Sequence, residues 1–228
     1  MSWNTDLLNI MLADVSGGSE SPSMARKILS WKATSDDISC WTNLATLNQG
    51  VVGICEDIVR ALPANATTTS IAEMTKVLSQ YKLDAGNGEE WIHKSKSNSN
   101  GNDDDKVDEA TQNVGNHLCR LRKTLLETRR NLKQMGELSS VPVEPEEQTQ
   151  LADATMELPG VVASLVPGAG GYDALVVVYV NTPDVRDKIC NLWTNYKPLA
   201  VCPLAVQFAP YGDGLQYEAE VPEYNHDK

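Results

Sequence analysis

Three glycines within four residues, Gly168, Gly170 and Gly171, lie between Pro167 and Asp173 in the stretch LVPGAGGYDALVVV. Glycine reaches backbone angles with φ > 0 and lets a ligand approach the main chain closely. The N–H groups of Gly168, Ala169, Gly170 and Gly171 can therefore form a cradle for an anion. A tight hairpin needs one or two glycines for its geometry alone. The excess here favours a ligand-facing loop between two strands. Asp173 can orient a bound group through a metal or water, or can hydrogen-bond the turn backbone, and the second role is the expected one.

A second candidate is DVSGGSESPSM, from Asp14 to Met24. Gly17 and Gly18 precede a helix start marked by Ser21 as N-cap and Pro22 as first helical residue. Free N–H groups at such an end, with the hydroxyls of Ser19, Ser21 and Ser23, suit a phosphate or carboxylate. An ordinary capped helix start explains the same residues equally well. Neither loop matches the P-loop or the dinucleotide-binding fingerprint. No Ser-His-Asp or Cys-His signature supplies a nucleophile.

The elements that must position these loops follow from periodicity. Residues 7–15 form an apolar run that reads as a buried strand leading into the first loop. The helix opened at Ser21 carries Met24, Ile28 and Trp31 inward. A second helix places Ile38, Trp41, Leu44, Leu47, Val51, Ile54, Ile58 and Leu62 at spacings of three and four, and Pro63 closes it. A third uses Ile71, Met74, Leu78 and Tyr81. A fourth puts Leu118, Leu121, Leu125, Leu132 and Met135 on one side and also carries Arg120, Arg122, Lys123, Arg129, Arg130 and Lys133, with Gly136 as its stop. A helix over residues 146–158, strands over 161–166, 174–180 and 199–208, and a helix over 184–196 complete the chain. Four strands and several helices outside any repeating βα order predict an α+β layer, with helices on one face of a mostly antiparallel four-stranded sheet.

Residues 84–108, rich in Gly, Asn, Ser and charge, read as a disordered surface insert, and the acidic tail after 217 as loose. The carboxylates Asp103, Asp104 and Asp105 within that insert read as a solvated face rather than a metal site.

The 228 residues are 41% hydrophobic and 22% charged, with a formal net charge of -12. That charge opposes binding to nucleic acid or to an anionic membrane, while leaving small anions free to bind at local sites. Cys40, Cys55, Cys119, Cys190 and Cys202 are odd in number and widely spaced, as reduced thiols of a cytosolic protein are. His93, His117 and His226 show no zinc-site spacing, and no metal site is expected. The N-terminus has neither a signal peptide nor a membrane span, so the expected location is cytoplasmic.

Residues 121–178 resemble the C-terminal part of eukaryotic phosphomevalonate kinases, members of the GHMP small-molecule kinase superfamily. The family's pattern there is a basic helix, a Pro-x-Glu-Pro segment followed by Gln-Thr, a Leu-Pro-Gly, and Pro-Gly-Ala-Gly-Gly-Tyr-Asp-Ala. This sequence supplies it as Pro142, Glu144, Pro145, Gln148, Thr149, Pro159, Gly160 and the run from Pro167 to Ala174. MLADVSGGSESPSMARKILSW looks like the strand, loop and helix that open the family's C-terminal lobe, and the Tyr211-Gly212 region is similar to its final strand and tail.

The resemblance implies a GHMP kinase C-terminal domain of ferredoxin-like topology over residues 1–228. It implies ATP-dependent phosphorylation of 5-phosphomevalonate to 5-diphosphomevalonate in isoprenoid and sterol biosynthesis, with ATP and Mg²⁺. Gly168, Ala169, Gly170, Gly171 and Asp173 would line the active site between lobes. Gly17, Gly18, Ser19, Ser21 and Ser23 would face the acceptor. The family's Gly-Leu-Gly-Ser-Ser-Ala nucleotide loop and its catalytic Asp and Lys do not occur in the 228 residues. No catalytic residue is therefore expected in this chain, which needs an N-terminal kinase half in cis or in trans. A truncated gene reading, a separately expressed lobe and a degenerate paralogue are the expected explanations, in that order. The alternative is a non-catalytic lobe kept for ligand binding or for pairing with a partner.

Overall fold

In the computed structural model, residues 6–18, 20–36, 38–83 and 107–204 are described. The predicted Ser19 ligand, residues 84–106 of the predicted insert, residues 205–208 of the last predicted strand and the tail after 217 lie outside them.

The order is β1 (Leu8–Val15), α1 (Ser21–Thr34), α2 (Ser39–Ala61), α3 (Thr68–Leu78), α4 (Glu109–Ser139), α5 (Glu146–Met156), β2 (Val161–Leu165), β3 (Ala174–Val180), α6 (Pro183–Thr194) and β4 (Val201–Leu204). The sheet order is β2-β3-β1-β4, and every pairing is antiparallel. This is the split βαβ arrangement of ferredoxin-like folds, with α1 to α5 filling the first crossover and α6 the second. The expected α+β class with a four-stranded antiparallel sheet is what the chain forms.

The helices cover both faces of the sheet instead of the expected one. Leu8 and Ile10 of β1 and Val178 and Val180 of β3 pack with Ile54, Ile58, Ile71, Leu78, Leu118 and Leu121 of α2, α3 and α4. The alternate residues Met11, Ala13, Val15, Leu175, Val177 and Tyr179 pack with Leu151, Met156, Val185, Ile189 and Trp193 of α5 and α6. Successive side chains point to opposite faces of a strand, so central strands that carry apolar residues on both faces need cover on both sides. Trp193 is fully buried and donates from Nε1 to the Thr155 hydroxyl at 2.9 Å, which satisfies its one polar atom.

Three helix ends differ from the sequence expectation. At α1 the N-cap is Glu20, not Ser21, and Glu20 makes no side-chain cap hydrogen bond. Of that helix only Met24 is buried, while Ile28 and Trp31 are half-buried. At α4, Gly136 lies inside the helix, which ends at Ser140 in the left-handed conformation (φ 55°). Glycine is needed at 136 because a Cβ would lie 2.7 Å from the Val141 carbonyl oxygen. Finally, Asp108, expected in the insert, is the N-cap of α4. It accepts from the Thr111 N–H at 2.9 Å.

Two arginines of α4 face inward, at seven-residue spacing along the side that carries Leu118, Leu125 and Leu132. Arg122 donates to the carbonyls of Met156, Val161 and Val162. The last two lie at a β-bulge in β2, where the register shifts between Val161 and Ala163, and both accept from the same Nη1. Arg129 is engaged by Glu144 and Asp153.

Candidate functional site

Antiparallel pairing of β1 with β3 brings the two predicted loops to the same end of the sheet, where Asp14 is opposite Ala174. The Val15 N–H donates to the Asp173 carbonyl at 2.9 Å. Gly17 abuts Tyr172 so closely that a Cβ on Gly17 would meet the Tyr172 Cβ at 2.8 Å. The turn before β4 joins them. The Ser16 N–H donates to the Ala200 carbonyl (2.9 Å), and the Ala200 N–H donates to the Ser16 hydroxyl (3.2 Å). The three segments enclose an open depression of about 450 Å³ lined by Asp14, Val15, Ser16, Gly17, Gly18, Asp173, Ala200, Val201 and Cys202.

Gly17, Gly18 and Asp173, all predicted site residues, line that depression. Asp173 accepts the Val15 N–H through its main-chain carbonyl, and the residue lines the depression together with Asp14. Among the described residues, the lining holds two acidic residues and no basic one. A phosphate in the depression therefore needs its charge offset by an ammonium, a guanidinium or a cation brought from elsewhere. Ala200, Val201 and Cys202 escaped the sequence reading, because their place beside β1 comes from long-range pairing that carries no local signal.

Ser21 and Ser23 lie on the first turn of α1, outside the depression's lining. The N–H groups of Ser23 and Met24 both donate to the Glu20 carbonyl, at 2.9 and 3.0 Å, and Pro22 has no N–H. The Glu20 carboxylate also places negative charge at the helix end. These features reduce the capacity of the α1 N-terminus to hold an anion.

The glycine loop divides into an inner and an outer part. Gly168, Gly170 and Gly171 all have positive φ, at 66°, 84° and 114°. The Gly170 N–H closes a turn onto the Pro167 carbonyl at 3.3 Å, and the Gly171 N–H donates to the Val143 carbonyl at 3.0 Å. A Cβ on Gly170 would lie 2.4 Å from the Val143 oxygen, whereas Gly168 has nothing within 4 Å of that position. Gln148, buried in α5, donates from Nε2 to the Tyr172 carbonyl at 2.7 Å. Gly170 and Gly171 are thus taken up by packing and hydrogen bonding to the protein. Gly168, which is exposed, and the half-buried Ala169 form no backbone hydrogen bond among the described residues and leave their amides available.

Behind the loop, Arg129 is held by both oxygens of Glu144, each 2.8 Å from Nε, and by Asp153 at 2.6 Å. Burial by itself lowers the arginine pKa. The hydrogen bond and charge of Glu144, then those of Asp153, outweigh it and hold Arg129 above the ordinary range. No group of three or more His, Cys, Asp or Glu side chains among the described residues is placed to hold a metal ion. No described helix is long and apolar enough to cross a membrane.

No family profile matches the sequence. Among curated proteins, the peroxisomal phosphomevalonate kinase of Arabidopsis thaliana is 30% identical over 92% of this chain and 38% of its own length. The phosphomevalonate kinase erg8 of Aspergillus fumigatus is 29% identical over 87% of this chain and 34% of its own. The phosphomevalonate kinase of Candida albicans is 28% identical over 75% and 31%. The chain therefore spans between 31% and 38% of the length of these relatives. Among solved structures, a Lin0012 protein from Listeria innocua superposes on 86% of this chain and 38% of its own, with a TM-score of 0.48 and 16% identity.

Proposed function

Starting from a chain that is a relative of the phosphomevalonate kinases over about a third of their length, we propose that it is the C-terminal lobe of a kinase of that type. The complete enzyme would transfer the γ-phosphoryl group of ATP to 5-phosphomevalonate, giving 5-diphosphomevalonate and ADP. The observation that carries this reading is the likeness to the Arabidopsis kinase across 92% of the chain. The sheet supports it by joining the Gly17–Gly18 loop, Asp173 and the turn before β4 around one depression.

Phosphoryl transfer asks a protein mainly to hold two polyanions in line and to direct preorganised donors at the transferring group. The described residues supply backbone amides at Gly168 and Ala169 and, separately, the depression lined by Gly17, Gly18 and Asp173. They supply no metal-ligand cluster, so Mg²⁺ is assigned to no side chain and no step is routed through it. The lobe's part is binding and orientation, and the positive charge the depression lacks would come from an N-terminal kinase half, in cis or in trans. With a net charge of -12, neither nucleic acid nor an anionic membrane is a partner in this reading. A cytosolic location belongs to the same proposal, since the described cysteines are all free thiols.

Calorimetry on the chain tests the proposal, with 5-phosphomevalonate and ATP titrated separately and together. Saturable heat with 5-phosphomevalonate is the expected result. Absence of binding by both ligands would remove the ligand-holding role. Binding of the acceptor with no turnover once an N-terminal half is supplied would instead establish a non-catalytic ligand-binding lobe.

A further inference from the structure

The stretch joining α4 to α5, residues 141–145, runs directly behind the glycine loop and is gripped from two sides. On the α4 side, Gly136 is bare because a Cβ there would meet the Val141 oxygen at 2.7 Å and the Val143 Cβ at 3.0 Å. On the loop side, Gly170 is bare because a Cβ would meet the Val143 oxygen at 2.4 Å and its Cα at 2.6 Å. Between these two contacts the Val143 carbonyl accepts the Gly171 N–H at 3.0 Å. The next residue along, Glu144, is buried and lies in the ion pair with Arg129. Thr149 donates its hydroxyl to Glu144 Oε1 at 2.8 Å, and Lys133 Nζ donates to that same hydroxyl oxygen at 3.0 Å. Arg129 also donates to the Thr149 carbonyl at 3.2 Å. A single peptide bond joins the Val143 carbonyl that holds the loop to Glu144 and its charge network with α4 and α5.

We propose that Arg129 and Glu144 are positioning residues for the glycine loop, holding residues 141–145 so that the Val143 carbonyl fixes Gly171 and thereby sets the amides of Gly168 and Ala169. The ligand part of this proposal rests on the reading of the loop as phosphate-facing; the mechanical part does not. A loop with three positive-φ glycines has little conformational preference of its own and few side chains to pack. Its arrangement must be imposed by neighbours, here through Val143 and Gln148. A planar guanidinium engaging both carboxylate oxygens fixes direction as well as distance, which an ammonium cannot do. Preorganisation of this kind raises affinity by removing the ordering cost at the moment of binding.

The test compares wild type with E144Q and R129K by amide hydrogen exchange at Gly171 and at Val177, the latter in the centre of β3. A surface variant, K82A, which removes the Lys82–Glu157 ion pair, serves as control. The proposal predicts that E144Q accelerates exchange at Gly171 at least about tenfold while Val177 stays within about threefold, because the opening is local and not global. R129K, which keeps the charge but loses the fork, should fall between wild type and E144Q. In parallel, 5-phosphomevalonate and inorganic pyrophosphate are titrated against protein shown to be folded, and E144Q should bind about tenfold more weakly.

Equal acceleration at Gly171 and Val177, or none at either, overturns the positioning role. Accelerated Gly171 exchange with unchanged affinity overturns the link from clamp to ligand. A wild-type chain that binds neither probe counts against the phosphate-facing reading itself, and the exchange result then decides the clamp alone. Should E144Q fail to fold, T149V, which removes only the hydroxyl linking Glu144 to Lys133, is read by the same exchange ratio.

Discussion

Replacing Gly170 by alanine should destabilise the protein far more than the same change two residues earlier at Gly168. Both positions have positive φ, 84° and 66°, so alanine is strained at each by about 1–2 kcal/mol. Space separates them. At Gly168 the new methyl group meets nothing within 4 Å, whereas at Gly170 it lies 2.4 Å from the Val143 oxygen, 2.6 Å from its Cα and 2.8 Å from its carbonyl carbon. All three are backbone atoms, which no rotamer change can move aside. Relief requires shifting residues 141–145, themselves pressed against Gly136, and overpacking of this kind costs about 1–3 kcal/mol more. G170A is therefore expected to lose about 2–5 kcal/mol and G168A about 1–2 kcal/mol. Against a domain stability of about 5–15 kcal/mol and a urea slope of about 1–3 kcal/mol per molar, the two midpoints should differ by roughly 1 M. Urea unfolding followed by tryptophan fluorescence measures this. Equal midpoints, or a G170A protein as stable as wild type, would refute the claim that this glycine exists for contact with Val143.

Other substitutions probe separate parts of the account. R129M leaves Glu144 buried without its partner and should cost about 3–5 kcal/mol in thermal or urea unfolding. W193F removes the donor to the Thr155 hydroxyl from a fully buried site and should cost about 1–3 kcal/mol, read in the same assay. D108A should cost about 1 kcal/mol through loss of the α4 cap. Burial pushes the Asp108 carboxyl pKa up, but hydrogen bonds from the Thr111 hydroxyl and from backbone N–H groups outweigh it and leave the group below its ordinary value. A depressed carboxylate stabilises fully above the unfolded pKa of about 3.9 and loses that contribution as pH falls through the folded value. The stability difference between wild type and D108N should accordingly be constant near neutrality and shrink only below about pH 4.

Much of the fold was legible because its signals are local. The apolar run of β1, the i, i+3, i+4 pattern of α2, the strands on either side of the glycine loop and the stop at Pro63 all read correctly from neighbouring residues. Two-sided cover of the sheet was also present in the sequence, in LNIMLADV and ALVVVYV, whose apolar residues do not alternate with polar ones. The inward arginines carried a weaker signal. Arg122 and Arg129 lie four residues after Leu118 and Leu125 and so share their side of the helix, but charge alone argues for the surface. Gly136 looked like a helix stop because a terminal glycine and a close-packed glycine are indistinguishable without the neighbour that demands them.

The candidate site was legible in its two loops and not in its third side. Gly17, Gly18 and Asp173 come together as their types allowed, but residues 200–202 join them through β1–β4 pairing across most of the chain. The surplus of glycine in the second loop was read as room for a ligand to approach the backbone. For Gly170 and Gly171 the approaching backbone is the protein's own, at Val143, which a composition argument cannot separate from a ligand.

The central claim is that this lobe holds the acceptor for phosphoryl transfer from ATP, and one turnover assay tests it most directly. The chain is joined to the remaining part of the Arabidopsis relative, in place of the stretch it matches, and ADP release is followed with ATP and 5-phosphomevalonate. The account predicts ADP release that depends on 5-phosphomevalonate and falls sharply in G170A chimera that is still folded. A folded chimera that releases no ADP above the rate without acceptor, while the intact Arabidopsis enzyme turns over under the same conditions, would contradict it.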